Sequence, residues 1–175
     1  MASDTLRIDR LAGPDVASLV EPLFREYGIW VIGRLQADLG LHFGEADAER
    51  HHQEFRAELP RLVGPGGRLL LARAGEDPIG VAALKPVDTV TAEIKRMYVR
   101  PQGRGRGVGR ALLQRLVDDA RSEGYRTARL ESLAFMTEAH GLYRSFGFVD
   151  TAMFDGCETA MSGLESVTYF MELSL

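Results

Sequence analysis

The chain of 175 residues has a single cysteine, Cys157, and two lysines, Lys85 and Lys95, against 19 arginines. One thiol excludes an internal disulfide and suits a reducing compartment, so a cytoplasmic location is expected. We read the skew toward arginine as host codon composition rather than function. No run approaches the roughly 18 apolar residues that cross a membrane. The opening M-A-S-D-T-L-R-I-D-R has no apolar stretch behind a basic start, so no leader peptide and no membrane partner are expected. Repeats, low-complexity tracts and linkers are missing too, which predicts one domain over 1–175. The four histidines and the lone cysteine show no ligand spacing, and the neighbours His51 and His52 point to different faces of a helix, so no metal is expected. A formal net charge of −4 argues against a dedicated nucleic-acid binder. The absence of G-K-[S/T] excludes a P-loop.

What is present is ordinary in bulk, with 45% hydrophobic and 26% charged residues, enough for a sizeable core. Thr5 to Leu11 alternates as a first strand. Pro14-Asp15 opens a helix to about Tyr27, Gly28 interrupts it, and Trp30 to Leu39 reads as a second, shorter helix. Ala46 to about Leu62 is a charged helix that Pro60 ends or kinks. Arg68 to Ala74 and Ile79 to Val87 form a hairpin, and Thr91 to Val99 is the next strand. A helix over Val108 to Glu123 precedes a strand at Arg126 to Leu133 and a helix at Thr137 to Ser145. Phe148 to Phe154 and Ser166 to Leu173 read as closing strands. This order predicts an α/β fold with a mixed sheet.

The informative stretch is V-R-P-Q-G-R-G-R-G-V-G, Val99 to Gly109. A strand runs into a loop of four glycines and two arginines, and an amphipathic helix opens directly after it. Free N–H groups and the partial positive charge of a helix start attract anions. Glycines let the main chain approach a phosphate, and arginines add forked donors. The loop reads as a pyrophosphate cradle, with a solvated Gly-rich loop as the plainer alternative. A dinucleotide-binding G-x-G-x-x-G fits worse, because those glycines normally follow the first strand.

The segment R-G-R-G-V-G (Arg104 to Gly109) fits the [Q/R]-x-x-G-x-[G/A] signature, and here the chain resembles the GNAT N-acetyltransferase superfamily. The strand A-E-I-K-R-M-Y-V-R-P, the helix A-H-G-L-Y-R-S-F-G-F and the final Y-F-M-E-L-S-L are similar to its central strand, its A-x-x-x-Y-x-x-x-G-F helix and its closing strand. The resemblance implies a single-domain GNAT-like fold whose mixed, mostly antiparallel sheet is flanked by helices and splays at its centre. The acetyl-CoA-binding core would lie within 68–148. It also implies an acetyl-CoA-dependent N-acetyltransferase that moves an acetyl group to a small-molecule or peptide amine by direct attack in a ternary complex, with a homodimer as a common assembly.

Residue roles follow from the same resemblance. Acetyl-CoA would be bound by the backbones of Met97 and Val99 and by Arg104, Gly105, Arg106, Gly107, Val108, Gly109 and Arg110. Tyr143 stands where the family's proton donor to the departing thiolate stands; otherwise it is a core aromatic. Glu93 lies where several members keep a carboxylate that helps deprotonate the amine, acting through water or a raised pKa; otherwise it faces solvent or pairs with Arg96. An asparagine that contacts pantetheine in many relatives is replaced by Met136, a departure from the family pattern, and F-M-T-E-A-H would instead shape the acceptor pocket. His140, one turn from Tyr143, reads as a partly exposed helix histidine, and Cys157 as an incidental loop thiol. The acceptor is expected near Trp30 to His42 and the loop Asp155 to Glu165, where Asp155, Glu158 and Glu165 would favour a cationic amine. Two other functions stay open: a catalytically silent domain that senses acyl-CoA or binds a partner, and an RG-rich nucleic-acid-binding module.

Overall fold

The computed structural model describes residues 5–175; the first four residues of the stretch read for a leader peptide lie outside them. Seven strands form one sheet: β1 (Leu6–Arg10), β2 (Arg68–Ala74), β3 (Asp77–Pro86), β4 (Thr91–Val99), β5 (Thr127–Leu133), β6 (Val149–Asp150) and β7 (Thr168–Ser174). Their spatial order is β1-β2-β3-β4-β5-β7-β6, and every neighbouring pair is antiparallel except β4 with β5. The helices are α1 (Val16–Leu39), α2 (Glu45–Val63), α3 (Val108–Ser122), α4 (Thr137–Ser145) and α5 (Glu158–Ser162). The sheet is mixed and mostly antiparallel, with helices on both faces.

Each face has its own core. On one, Val108, Leu112, Leu113, Leu116 and Val117 of α3 pack with Tyr143, Phe148 and the inward residues of the strands. On the other, Val20, Leu23 and Phe24 of α1 and Phe55 and Leu62 of α2 pack over Leu69, Leu71, Val81 and Tyr98. Both faces of the central strands are therefore covered, which is why β2 and β3 read as nearly continuous apolar runs rather than alternating ones.

Two boundaries differ from the sequence reading, while a third, the end of α2, falls where it was expected. The two expected helices before Leu39 are one helix of 24 residues that runs through Pro22 and Gly28. A mid-helix glycine costs under about 1 kcal/mol, which packing against α2 and β4 outweighs. Pro60 likewise sits inside α2, whose last turn ends at Val63. The strand expected over Phe148 to Phe154 is confined to Val149–Asp150, because Phe148 turns into the core instead of alternating.

Two irregularities of β4 prepare the site. It pairs with β5 only at Thr91, Ala92 and Glu93, while β5 stays paired with β7 as far as Leu133. From Ile94 onward β4 therefore has a partner on one side only, and a gap opens. In the same stretch the register with β3 shifts by a bulge between the Lys95 and Tyr98 pairings. Arg96 takes φ 56°, the positive-φ non-glycine of the described residues. A bulge adds one residue and reverses the alternation beyond it. Lys95 and Arg96 consequently reach the α2 side together, whereas Met97 and Val99 pack with the α3 core.

Leu116 is fully buried in the α3 core. Leu116→Ala is expected to lower unfolding stability by about 2–5 kcal/mol, read as the shift of the urea midpoint at constant slope.

Candidate active site

The Gly-rich loop is built for open backbone. After a short turn at Pro101–Gly103, Gly105 and Gly107 adopt φ 70° and 79°, and a Cβ on either would meet nothing within 4 Å. They are glycines for conformation. Gly103 is a glycine for space, since its Cβ would lie 3.0 Å from Val99 Cγ1. Gly107 caps α3, and the first helical bond runs from Ala111 N–H to the Gly107 carbonyl at 2.9 Å. That leaves the N–H groups of Val108, Gly109 and Arg110 directed out of the helix start.

The two arginines of the loop, Arg104 and Arg106, and Arg110 in the first turn of α3 differ. Arg104 Nε donates to the Val99 carbonyl at 3.1 Å, and its guanidinium lies 5.6 Å from the Trp30 ring centre. Arg110 donates to Ser145 Oγ at 3.0 Å and lies over Phe146, tying α3 to α4. Arg106 is exposed. The loop thus presents glycine backbone, a helix start and exposed cationic side chains, a donor set suited to a diphosphate.

Tyr143 comes from α4 to the side of β4 that faces α3. It is 7% exposed, and its hydroxyl donates to Met97 Sδ at 3.8 Å. Burial raises its pKa, with the Tyr27 phenol acting in the same sense. It therefore stays a phenol and a proton source across the working pH range. Met97 stands beside the β4 gap.

On the opposite side of β4 lies a buried charge cluster. Glu93 is fully buried, with Arg129 Nε 3.2 Å from Oε2 and Lys95 Nζ 3.2 Å from Oε1. It neither faces solvent nor pairs with Arg96, as the sequence alternatives had it, because Lys95 and Arg129 flank it and Arg96 is taken by two other carboxylates. Arg96 instead bonds Glu158 Oε1 at 2.6 Å and Glu58 Oε2 at 3.1 Å. Lys95 Nζ is 2.9 Å from Glu158 Oε1. Burial works against the Lys95 ammonium, but Glu158 and Glu93 outweigh it and raise its pKa. Burial would raise the Glu158 pKa, yet Arg96 and Lys95 more than offset this and hold it at about 2.

A cavity of about 740 Å³ opens above this cluster between α1, α2, β5 and α5. Arg96 and Glu158 form its polar end, and Val31, Ile32, Leu35 and Leu133 belong to its apolar walls. Met136 lines it as well. Of the three acids expected near the acceptor, Glu158 alone lines this cavity; the expected loop contains α5, anchored by Glu131, which accepts from the N–H groups of Glu158 and Thr159.

Three readings change here. His140 is buried rather than partly exposed, its Nε2 3.0 Å from Ser132 Oγ. Cys157 is fully buried at the start of α5. His51, weighed in the sequence only as a metal ligand, faces the cavity, while His52 is tied to Glu21 at 2.8 Å. Helical spacing separates the two faces, but only the packing of α2 on α1 decides which one borders this cavity.

Comparison with known proteins agrees with this architecture. Residues 34–148 match the model of the acetyltransferase (GNAT) family. The IAA acetyltransferase of Azospirillum brasilense is 35% identical over 120 residues, 67% of this chain and 74% of that protein. The uncharacterized N-acetyltransferase YjgM of Escherichia coli is 26% identical over 149 residues, 82% and 80% of the two chains. Among solved structures, the PaiA N-acetyltransferase of Thermoplasma acidophilum in complex with coenzyme A superposes with a TM-score of 0.72 over 98% of this chain and 99% of that one, at 20% identity.

The low Glu158 pKa has a consequence for stability. A carboxylate depressed from 4.5 to about 2 stabilises the fold above its unfolded value and loses that contribution as pH falls through about 2. Urea unfolding between pH 4.5 and 2 is expected to show a shallower loss of stability for Glu158→Gln than for the unaltered protein.

Proposed function

The chain belongs to the GNAT acetyltransferase family, and from that premise we propose that it transfers an acetyl group from acetyl-CoA to an amine by direct attack in a ternary complex. The observation that carries the reading is the gap between β4 and β5, with the glycine cradle and Tyr143 on one side and the 740 Å³ cavity on the other. A thioester reached from two sides is what direct transfer requires, because both reactants must be present at once.

Acetyl-CoA supplies an acetyl group as an activated thioester. The N–H groups from Gly105 to Arg110, with Arg104 and Arg106, hold its diphosphate. The unpaired side of β4 at Met97 and Val99 receives its arm and acetyl carbonyl, and a backbone N–H there stabilises the developing oxyanion. Tyr143 gives its hydroxyl proton to the departing sulfur. Glu93 acts through its neighbours: it holds Lys95 and Arg129, which fix the charged floor of the acceptor cavity. The whole of 1–175 works as one such domain, with the acetyl-CoA contacts inside 68–148.

Two measurements test this reading. Tyr143→Phe is expected to lower kcat by about 100-fold in a thiol-release assay while calorimetric affinity for acetyl-CoA is kept; an unchanged kcat removes the proton-donor role. Arg104→Ala with Arg106→Ala is expected to weaken acetyl-CoA binding by about tenfold or more, at an exchange of roughly 1.5–3 kcal/mol per charged hydrogen bond.

A further inference from the structure

His51 stands on the partition between the acceptor cavity and a second cavity of about 410 Å³ between α1 and α2; Gly28, Ile32 and Arg96 also line both. Its ring lies against α1 where Gly28 has no side chain: a Cβ there would be 3.6 Å from Cδ2. His52 is bonded to Glu21, but no hydrogen bond engages His51 among the described residues. A half-buried imidazole with both nitrogens unspent therefore borders the cavity. Across it lies Glu158, whose side chain is 42% exposed although Arg96 and Lys95 anchor it. Glu93, with no exposed surface, does not line the cavity.

We propose that His51 is the general base of the transfer, that Glu158 holds the acceptor's ammonium group beside it, and that the acceptor is a primary amine on an apolar body without a carboxylate. This rests on the acetyltransferase reading above. The apolar body follows from the walls, to which Phe43 and Leu164 add. Discrimination against a carboxylate follows from the charges of the lining: Arg96 is taken by Glu58 and Glu158, and Asp47, Glu54, Glu131 and Glu158 set four carboxylates against Arg50 and Arg96.

The charged and titratable groups around His51 are Glu45, Asp47, Glu49, Arg50, His52 and Glu54 on its own helix, Arg25 and Tyr27 of α1, Lys95 and Arg96 of β4, Glu131 of β5 and Glu158 of α5. Burial lowers its pKa, Arg96 and Lys95 add to that, and Glu158 and Glu54 oppose it without reversing the direction. The imidazole is therefore free to accept a proton at neutral pH. The ammonium gives one proton to a His51 ring nitrogen, and the freed lone pair forms the C–N bond to the acetyl carbon. The C–S bond breaks, the sulfur takes the Tyr143 proton, and His51 returns its own to solvent.

The test uses the full chain, acetyl-CoA and two probes, 2-phenylethylamine and phenylalanine, which differ by a carboxylate. His51→Gln is expected to lower kcat/KM for 2-phenylethylamine by about 100-fold at pH 7 and by under about tenfold at pH 10, where more of the amine is already free. Imidazole is expected to restore activity to His51→Ala, with acetyl-CoA affinity unchanged in both variants. Phenylalanine is expected to react at less than about a tenth of the rate, the factor that 1.4 kcal/mol of discrimination gives. An unaltered rate at pH 7, an equal loss at both pH values without rescue, or equal use of phenylalanine overturns the proposal. If the unaltered protein releases no thiol with either amine, the His51 ring signals decide by NMR. A shift on adding 2-phenylethylamine keeps the amine site and rejects the transfer reading; no shift rejects the site.

Discussion

The arrangement depends on what happens to one strand. β4 is held by β5 for three residues and then released, and the release coincides with a bulge that sets Arg96 at positive φ. Either irregularity alone would do less. A gap without the bulge would put Met97 and Val99 on the charged side and Tyr98 on the side of α3. A bulge without the gap would leave the outer edge of β4 bonded to β5 and closed to any ligand. Together they give a strand whose free edge is framed by apolar side chains on one face and two adjacent cations on the other. A non-glycine at positive φ costs of order 1–3 kcal/mol, and the ion pairs of Arg96 with Glu58 and Glu158 are what hold it there.

Those ion pairs are a demanding way to fill a protein interior. Desolvating each charge costs several kcal/mol, and replacing such a cluster with well-packed apolar residues often stabilises a fold. Here Glu58, Glu93, Lys85, Lys95, Arg96 and Arg129 all lie largely out of solvent, and the two carboxylates among them approach balance with the four cations only when Glu158 adds a third. The cluster therefore makes better sense as positioning than as stabilisation. It fixes Glu158 over the bulge and holds α2 and α5 to β4, elements with few apolar contacts between them. Arg96 Nε and Glu93 Oε1 remain without hydrogen-bond partners in the protein, so the network is not optimised for satisfaction alone.

Much of this was legible in the sequence because it depends on local chemistry. The strand–glycine–helix order and the A-x-x-x-Y-x-x-x-G-F helix are local patterns, and β4 and α4 begin and end where periodicity places them. The failures are tertiary. Gly28 looks like a helix break but is helical, because α1 packs along α2 there, with the His51 ring 3.6 Å from where a Cβ would stand. Glu93 and Arg96 look like natural partners three residues apart, as they would be on a helix. In a strand those positions face opposite sides, and the bulge that returns Arg96 to the Glu93 side gives it Glu58 and Glu158 instead. One clue was on view, since E-I-K-R-M-Y-V alternates cleanly until Lys95-Arg96 and then falls out of phase. Which of His51 and His52 reaches the 740 Å³ cavity had no local signal at all.

The separation of the two faces also bears on how protons move. Amine acetylation must take a proton from nitrogen and give one to sulfur, and an acid and base in contact would exchange with each other before either met a reactant. Tyr143 is held high by burial in the α3 core, where Met97 is its hydrogen-bond partner. The acceptor cavity lies beyond β4, among ionised groups and beside an imidazole that burial and Arg96 keep low. The strand between them carries no side chain that bonds to both. In the proposed transfer, a thioester lying across the gap, with its sulfur toward Tyr143 and its carbonyl carbon toward the cavity, links the two environments. The opposed pKa shifts share one leading cause, because burial disfavours a charged phenolate on one face and a charged imidazolium on the other, and the parting of the strands is what lets one ligand reach both.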